Sequence, residues 1–242
     1  MTGVWTELVD LLLPAECAGC RATRTPLRYG VCADCAGALE ALRPRAVRPS
    51  PAPAGLPACV ALGPYDGQLR EALLSYKERG RHGLARPLGQ LLAEVVAATV
   101  GHRRPVLLVP VPATARAVRT RQGDHLRRLA RHAAARLRRA AWPVEVARPL
   151  VALPRPDSVA LDSVGRSAAA ASAFRLPPAR VPALRRSATG RVVVLLDDIV
   201  TTGSTLAAVN RLLVGDGIAV HAAAVLAATQ RRSALVRRLH PS

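Results

Sequence analysis

Apolar positions along this chain fall into runs whose period switches repeatedly between strand-like and helix-like. Val192 to Leu196 are five apolar residues without polar alternation, the pattern of a strand buried on both faces of a parallel sheet. The pattern resumes at helical spacing with Leu206, Ala207, Val209, Leu212 and Leu213. Upstream, Val60–Leu62 predicts a short strand. Gln68–Tyr76 predicts a helix with Leu69, Leu73 and Tyr76 on one face, and Leu84–Val100 a second, striped by Leu88, Leu91, Leu92, Val95 and Val96. Val106–Val109 predicts a strand, ended by Pro110 and Pro112. The following ATARAVRTRQGDH reads as a mobile basic loop. Asp124 then caps a helix whose stripe is Leu126, Leu129, Ala130, Ala133 and Leu137. Val144–Val146 with Leu150–Leu153 reads as one interrupted strand, Arg155–Phe174 as a loop with a short helix, and Val220–Leu226 as the last core strand. Strands alternating with helices predict an α/β fold, a parallel sheet with helices on both faces.

The ends and one internal stretch depart from this rhythm. Thr6–Leu13 predicts a short amphipathic helix stopped by Pro14, and residues 43 to 57 (RPRAVRPSPAPAGLP) are Pro-rich without periodicity, the mark of a linker. The expected organisation is therefore an N-terminal module over residues 1–42, a linker over 43–57 and a main domain over 58–242. A chain of 242 residues is long enough for one full core and a small appendage.

Composition modifies this picture in two ways. Half the residues are hydrophobic but only 2% are aromatic, so the core must be built from Leu, Val and Ala. The formal net charge is +19, carried almost wholly by arginine, Lys77 being the only lysine. That excess suits a polyanionic partner, although an Arg-for-Lys bias beside abundant Ala and Pro also fits a GC-rich coding background. The N-terminal stretch has no basic residue before its apolar part, and no apolar run reaches membrane-span length, so the expected location is cytoplasmic.

The candidate chemistry begins at the end of the apolar run. Asp197 and Asp198 stand where that strand should leave the sheet, followed by Ile199, Val200 and then Thr201, Thr202, Gly203, Ser204 and Thr205. A strand-to-helix loop at the carboxyl edge of a parallel sheet is where open α/β folds bind ligands. Gly203 permits close backbone approach, first-turn amides lack intrahelical partners, and hydroxyls add donors, a combination suited to phosphate. No lysine lies in the loop, so it is not the P-loop of nucleotide triphosphatases. Adjacent carboxylates before such a cradle can take the vicinal hydroxyls of a ribose, directly or through a divalent cation, which makes ribose 5-phosphate the implied ligand. The simpler alternative is a capping pair followed by an ordinary turn.

Cys17-Ala-Gly-Cys20 and Cys32-Ala-Asp-Cys35 form two CxxC pairs that can bring four thiolates to one tetrahedral, structural zinc, with disulfides as the alternative in an oxidising compartment. Cys59 is left over and reads as a small core residue. Lys77, at a helix end, stands out because a compact ammonium is not interchangeable with guanidinium. Arg116, Arg119 and Arg121 lie in the basic loop beside a second strand end, where a loop can close over a diphosphate. For Lys77 and these arginines a solvated charge is the competing reading. Arg127, Arg128, Arg131, Arg136, Arg138 and Arg139 make the strongest basic patch. Without stacking aromatics nearby it can only contact phosphates, without sequence choice.

The string RVVVLLDDIVTTGSTL resembles the phosphoribosyl-diphosphate (PRPP) motif of type I phosphoribosyltransferases. That resemblance implies that Asp197 and Asp198 hold the ribose hydroxyls and Thr201 to Thr205 the 5-phosphate. The order of Cys pairs, Pro-rich link, YDGQLREALLSYKERG, VLLVPVP, Arg-rich loop and PRPP-like string resembles, over nearly the whole chain, the ComF family of phosphoribosyltransferase-like proteins. The resemblance implies a type I phosphoribosyltransferase-like sheet with a small four-cysteine zinc module, PRPP with Mg²⁺ as ligand, and an association with natural transformation and DNA uptake. Single-stranded DNA or DNA-uptake proteins are then the expected partners. Lys77, Arg116, Arg119 and Arg121 become the expected catalytic cations at the diphosphate. The chain departs from the family pattern on the acceptor side. Arg121-Gln122-Gly123-Asp124 replaces an RGxN-like string. Ser158 and Ala169 stand for a family glutamine and asparagine around a retained Leu161 and Arg166, and at most Cys59 remains of a third Cys pair. Those departures keep open a second expectation, a non-catalytic PRPP-sensing or DNA-handling adaptor.

Overall fold

A computed structural model describes residues 16–23, 26–120, 123–153 and 173–229. The predicted helix at Thr6–Leu13, the stretch 155–172 and the tail from Gln230 lie outside these residues, as does Arg121.

The chain builds helix α1 (Ala33–Glu40), strands β1 (Arg45–Val47) and β2 (Cys59–Pro64), helix α2 (Gly67–Glu78), a 3₁₀ turn at His82–Leu84 and helix α3 (Ala85–Val100). There follow β3 (Val106–Pro110), α4 (Ala115–Thr120), α5 (His125–Arg139), β4 (Val144–Val146), β5 (Val151–Ala152) and β6 (Phe174–Arg175). A 3₁₀ turn at Pro178–Arg180 leads into α6 (Val181–Ala188), then β7 (Val192–Val200), α7 (Ser204–Gly215) and β8 (Ala222–Ala228). Six strands form one sheet in the order β1-β2-β8-β7-β3-β4, parallel throughout except for β1.

Apolar pattern and burial agree strand by strand. All five residues of β3 and all seven of β8 are buried, as is Val193–Leu196 of β7, which is what a sheet covered on both faces requires. With this strand order, the right-handed rule for parallel crossovers assigns α3 and α5 to one face and α6 and α7 to the other. In keeping with this, α3 and α5 make the most extensive helix pairing, and Arg185 of α6 donates to the carbonyl of Asp216 at the end of α7, at 2.9 Å. The core is one continuous cluster that includes Cys17, Val31, Cys35 and Leu39 of the N-terminal segment.

Four expectations need correction. The β7 strand does not leave the sheet at Asp197: it runs to Val200, its distal half paired with β8 alone because β3 stops opposite Leu196. The basic segment read as a mobile loop contains α4, a helix too short to show an apolar stripe. Val144–Val146 and Val151–Ala152 do not continue one strand. The first lies in the main sheet, and the second turns away to pair with Phe174–Arg175, because Arg148-Pro149 supplies no ladder donor at the proline. The Pro-rich stretch is not wholly a linker, since Arg45–Val47 pairs antiparallel with β2 as an edge strand, the sheet position that tolerates flanking prolines.

Candidate functional site

The connections fix where a ligand can sit. From β3 the chain moves through α5 to β4 on one side, and from β7 through α7 to β8 on the other. The carboxyl ends of β3 and β7 are therefore neighbours whose connections diverge, the topological switch point at which open α/β sheets bind ligands. Asp197 and Asp198 stand on the β7 side of this crevice. Arg116 and Arg119, both exposed, stand on α4 just after β3.

Asp197 is partly buried and accepts the Asp198 amide at 2.9 Å through its own Oδ1. Desolvation, and then the charge of Asp198, push its pKa up to about 7 against the opposing pull of Lys77. Asp198 is ion-paired: Lys77 Nζ lies 2.9 Å from its Oδ2, with side-chain exposures of 18% and 16%. α2 brings the lysine there. The helix starts after the carboxyl end of β2, capped by Asp66 Oδ1 on the Gly67 amide at 2.8 Å, and delivers Lys77 to the acid pair of β7, two strands away. The pairing was not legible in the sequence, which offered only the oddity of a single lysine.

The hydroxyl loop follows directly. Thr201 and Thr202 are exposed and Ser204 and Thr205 partly so. Thr202 Oγ1 lies 3.0 Å from Ser204 Oγ and accepts the Ser204 amide at 3.4 Å. Gly203 is the residue before α7, at φ +77°, and a Cβ there would meet Leu56 Cδ1 at 2.8 Å. Leu56 comes from the Pro-rich segment, which Asn210 and Arg211 of α7 hold through the carbonyls of Gly55 (2.9 Å) and Ala54 (2.7 Å). The glycine thus has a structural reason for its place. Beside the crevice a cleft of about 240 Å³ is lined by Pro110 to Pro112, Asp124, Arg148, Leu150 and Arg180. Asp124 there accepts the Arg127 amide at 2.9 Å, capping α5 as expected.

The basic helix divides by role. Arg138 donates twice to the carbonyl of Val144, at 2.9 and 2.7 Å, and Arg128 contacts His82 Nδ1 at 2.8 Å, so both act within the fold. Arg127, Arg131, Arg136 and Arg139 are exposed.

Cys17, Cys20, Cys32 and Cys35 come together as a group that can hold a metal ion, their sulfurs all within 4.8 Å of one another. Cys20 Sγ lies 3.8 Å from Cys32 Sγ. Burial works to raise the Cys17 thiol, yet backbone amides from Cys20, Cys32 and Gly19 bring it down to about 6. The last two point at its sulfur from 3.3 and 3.4 Å. Burial and then the neighbouring thiols push Cys35 up. Gly19 has no room for a side chain, because a Cβ would stand 2.7 Å from Cys35 Sγ. Cys59 is buried apart from the cluster and donates to the carbonyl of Pro57 at 3.3 Å, a core position. Among the described residues no helix is long and apolar enough to cross a membrane. The chain matches no protein-family model and no curated protein.

Proposed function

We propose that this chain binds PRPP or another ribose 5-phosphate and acts as a phosphoribosyltransferase of ComF type. The observation that carries this reading is the placement of Asp197, Asp198 and the Thr201–Thr205 loop at the switch point between β3 and β7. On this reading the two acids accept the ribose hydroxyls, and the Thr201, Thr202, Ser204 and Thr205 hydroxyls with the first amides of α7 hold the 5-phosphate. Binding then exchanges partners at Asp198. Its carboxylate passes from Lys77 to the ribose, and the released ammonium is free to meet the diphosphate, with Arg116 and Arg119 arriving from the β3 side. The C1–oxygen bond to pyrophosphate breaks as the acceptor bond forms. Catalysis comes from positioning and from cations matched to the growing charge of the leaving group. Magnesium, for which Asp197 and Asp198 are the hard oxygen donors at hand, supplies further charge neutralisation when bound with the diphosphate. The cleft at Pro110–Pro112 is the place for the acceptor.

The Cys cluster fits structural zinc. A tetrahedral site with Zn–S of about 2.3 Å sets its sulfurs about 3.8 Å apart. The Cys20–Cys32 spacing has that value, and amide donors support the Cys17 sulfur. The ComF resemblance extends the proposal to DNA uptake, with single-stranded DNA as a partner of the exposed arginines on α5. The departures at Ser158 and Ala169 favour a second reading, a non-catalytic PRPP-sensing adaptor. An assay of pyrophosphate release from PRPP and Mg²⁺ against a panel of bases, amines and oligonucleotides separates the two. Release above background supports the enzyme, and binding without release supports the adaptor.

A further inference from the structure

Ser75 and Lys77 are two residues apart on α2 and serve different neighbours. Ser75 is 1% exposed, a polar side chain sealed inside the core. Its hydroxyl donates to the carbonyl of Ala18 at 3.3 Å and accepts from Arg79 Nη1 at 3.2 Å. Ala18 lies between Cys17 and Cys20 and is itself 1% exposed. One turn earlier on α2, Glu71 accepts from Arg21 at 3.2 Å (Nε) and 2.9 Å (Nη2), and Arg21 directly follows Cys20. Beyond the helix, Arg81 donates to the carbonyl of Glu16, just ahead of Cys17. The backbone loop carrying the first Cys pair is therefore fastened to α2 and its extension at three points, and between the second and third stands Lys77 on Asp198.

We infer that the metal-binding Cys cluster positions Lys77, with Ser75 as the residue that transmits its geometry to the Lys77–Asp198 pair. A helix moves as a rigid rod over two residues, so a shift of the Cys17–Cys20 loop carries through Ser75 to Lys77 almost undiminished. The buried hydroxyl has no water to exchange for the Ala18 carbonyl, so the coupling cannot relax locally. A charge-assisted bond at 2.9 Å weakens steeply once stretched. The inference rests on the proposed function only for its consequence, that cluster occupancy sets how the PRPP site is presented. The coupling itself is a property of the chain.

Because Lys77 is the only lysine, acetylation by an N-hydroxysuccinimide ester, read by peptide mass spectrometry, reports its ammonium alone. The test uses the full zinc-loaded chain, with zinc content and circular dichroism measured on each variant. Asp198→Asn releases the lysine and sets the fast limit. Ser75→Ala is expected to accelerate acetylation at least about fivefold, the lower end of ordinary inter-site coupling, at unchanged zinc content, and Ser75→Thr, which keeps the hydroxyl, to remain slow. By reciprocity, Lys77→Met is expected to weaken zinc affinity, read by equilibrium competition with a chromogenic chelator. A folded, zinc-loaded Ser75→Ala chain acetylated at the wild-type rate, or zinc affinity unchanged in Lys77→Met, overturns the inference. A merely structural role for Ser75 would lower the melting temperature and leave both the acetylation rate and the zinc affinity unmoved. If PRPP fails to bind while Ser75→Ala frees Lys77, the PRPP reading falls and the coupling stands. If PRPP binds and Ser75→Ala leaves acetylation unchanged, the coupling falls and the PRPP reading stands.

Discussion

Asp197 carries a charge its surroundings disfavour, for desolvation and the adjacent Asp198 both resist its ionisation and place its pKa at about 7. A carboxyl whose folded pKa lies above its unfolded value contributes stability that is complete below the unfolded pKa, near 4, and lost as pH rises through 7. Asp197→Asn is therefore expected to raise the melting temperature above pH 7, with the difference closing toward pH 4. A thermal-denaturation series across that range checks it. Lys77 has the opposite relation to its surroundings. Lys77→Ala leaves Asp198 without its cation and should cost about 1–3 kcal/mol in the free chain, measured by denaturant titration. If the protein turns over PRPP, charge on the departing diphosphate grows in the transition state. The same variant should then depress pyrophosphate release far more than PRPP affinity. Lys77→Arg should rescue only in part, because a planar guanidinium cannot take the place of a compact ammonium.

At the level of elements, α5 has an apolar face in the core and an arginine face in water. The exposed Arg127, Arg131, Arg136 and Arg139 predict sequence-independent DNA binding that falls steeply with salt. Replacing Arg127, Arg131 and Arg139 by Gln should lower both affinity and the salt slope, read by fluorescence anisotropy. Arg128 and Arg138 are poor choices because their guanidinium groups hold His82 and the Val144 carbonyl. Binding that survives high salt would remove nucleic acid as an electrostatic partner. The turn before α7 carries a second prediction at this scale. Gly203→Ala forces a side chain into φ +77° and against Leu56, and should cost about 1–3 kcal/mol in denaturant titration. The long elements were legible because periodicity over ten or more residues outweighs local noise: α3, α5 and α7 lie within a few residues of their expected spans. The short ones were not. The six residues of α4 hold too few apolar positions to show a face, and α6 carries a proline at its second position, which suits a first helical turn but reads as a breaker. The extension of β7 through two acids depends on β8, which no local pattern announces. The candidate site was legible as a string of residue types. Its electrostatics were not, because the partner of Asp198 arrives from a distant helix.

In the whole molecule the Cys segment is less separate than its spacing along the chain suggests. Cys17, Ala18, Val31, Cys35 and Leu39 share one core with α2 and the sheet. Cys32→Ser should accordingly lower the stability of the entire chain and not of residues 16–42 alone. Calorimetry is expected to show one broadened or shifted transition, and an unchanged main transition would mark an independent module. The same continuity places three sources of chemistry within one framework: acids and hydroxyls from β7 and its loop, a lysine from α2, and arginines from α4. The claim that unites them is that this edge of the sheet holds a ribose 5-phosphate. Isothermal titration of the zinc-loaded chain with PRPP and Mg²⁺ tests it most directly, with Asp197→Asn, Asp198→Asn and Thr202→Val titrated alongside. The account predicts one site per chain in the wild type, with affinity at least about tenfold weaker in each variant, which corresponds to about 1.4 kcal/mol. No heat of binding in the wild type, or the same affinity in all four proteins, would contradict it.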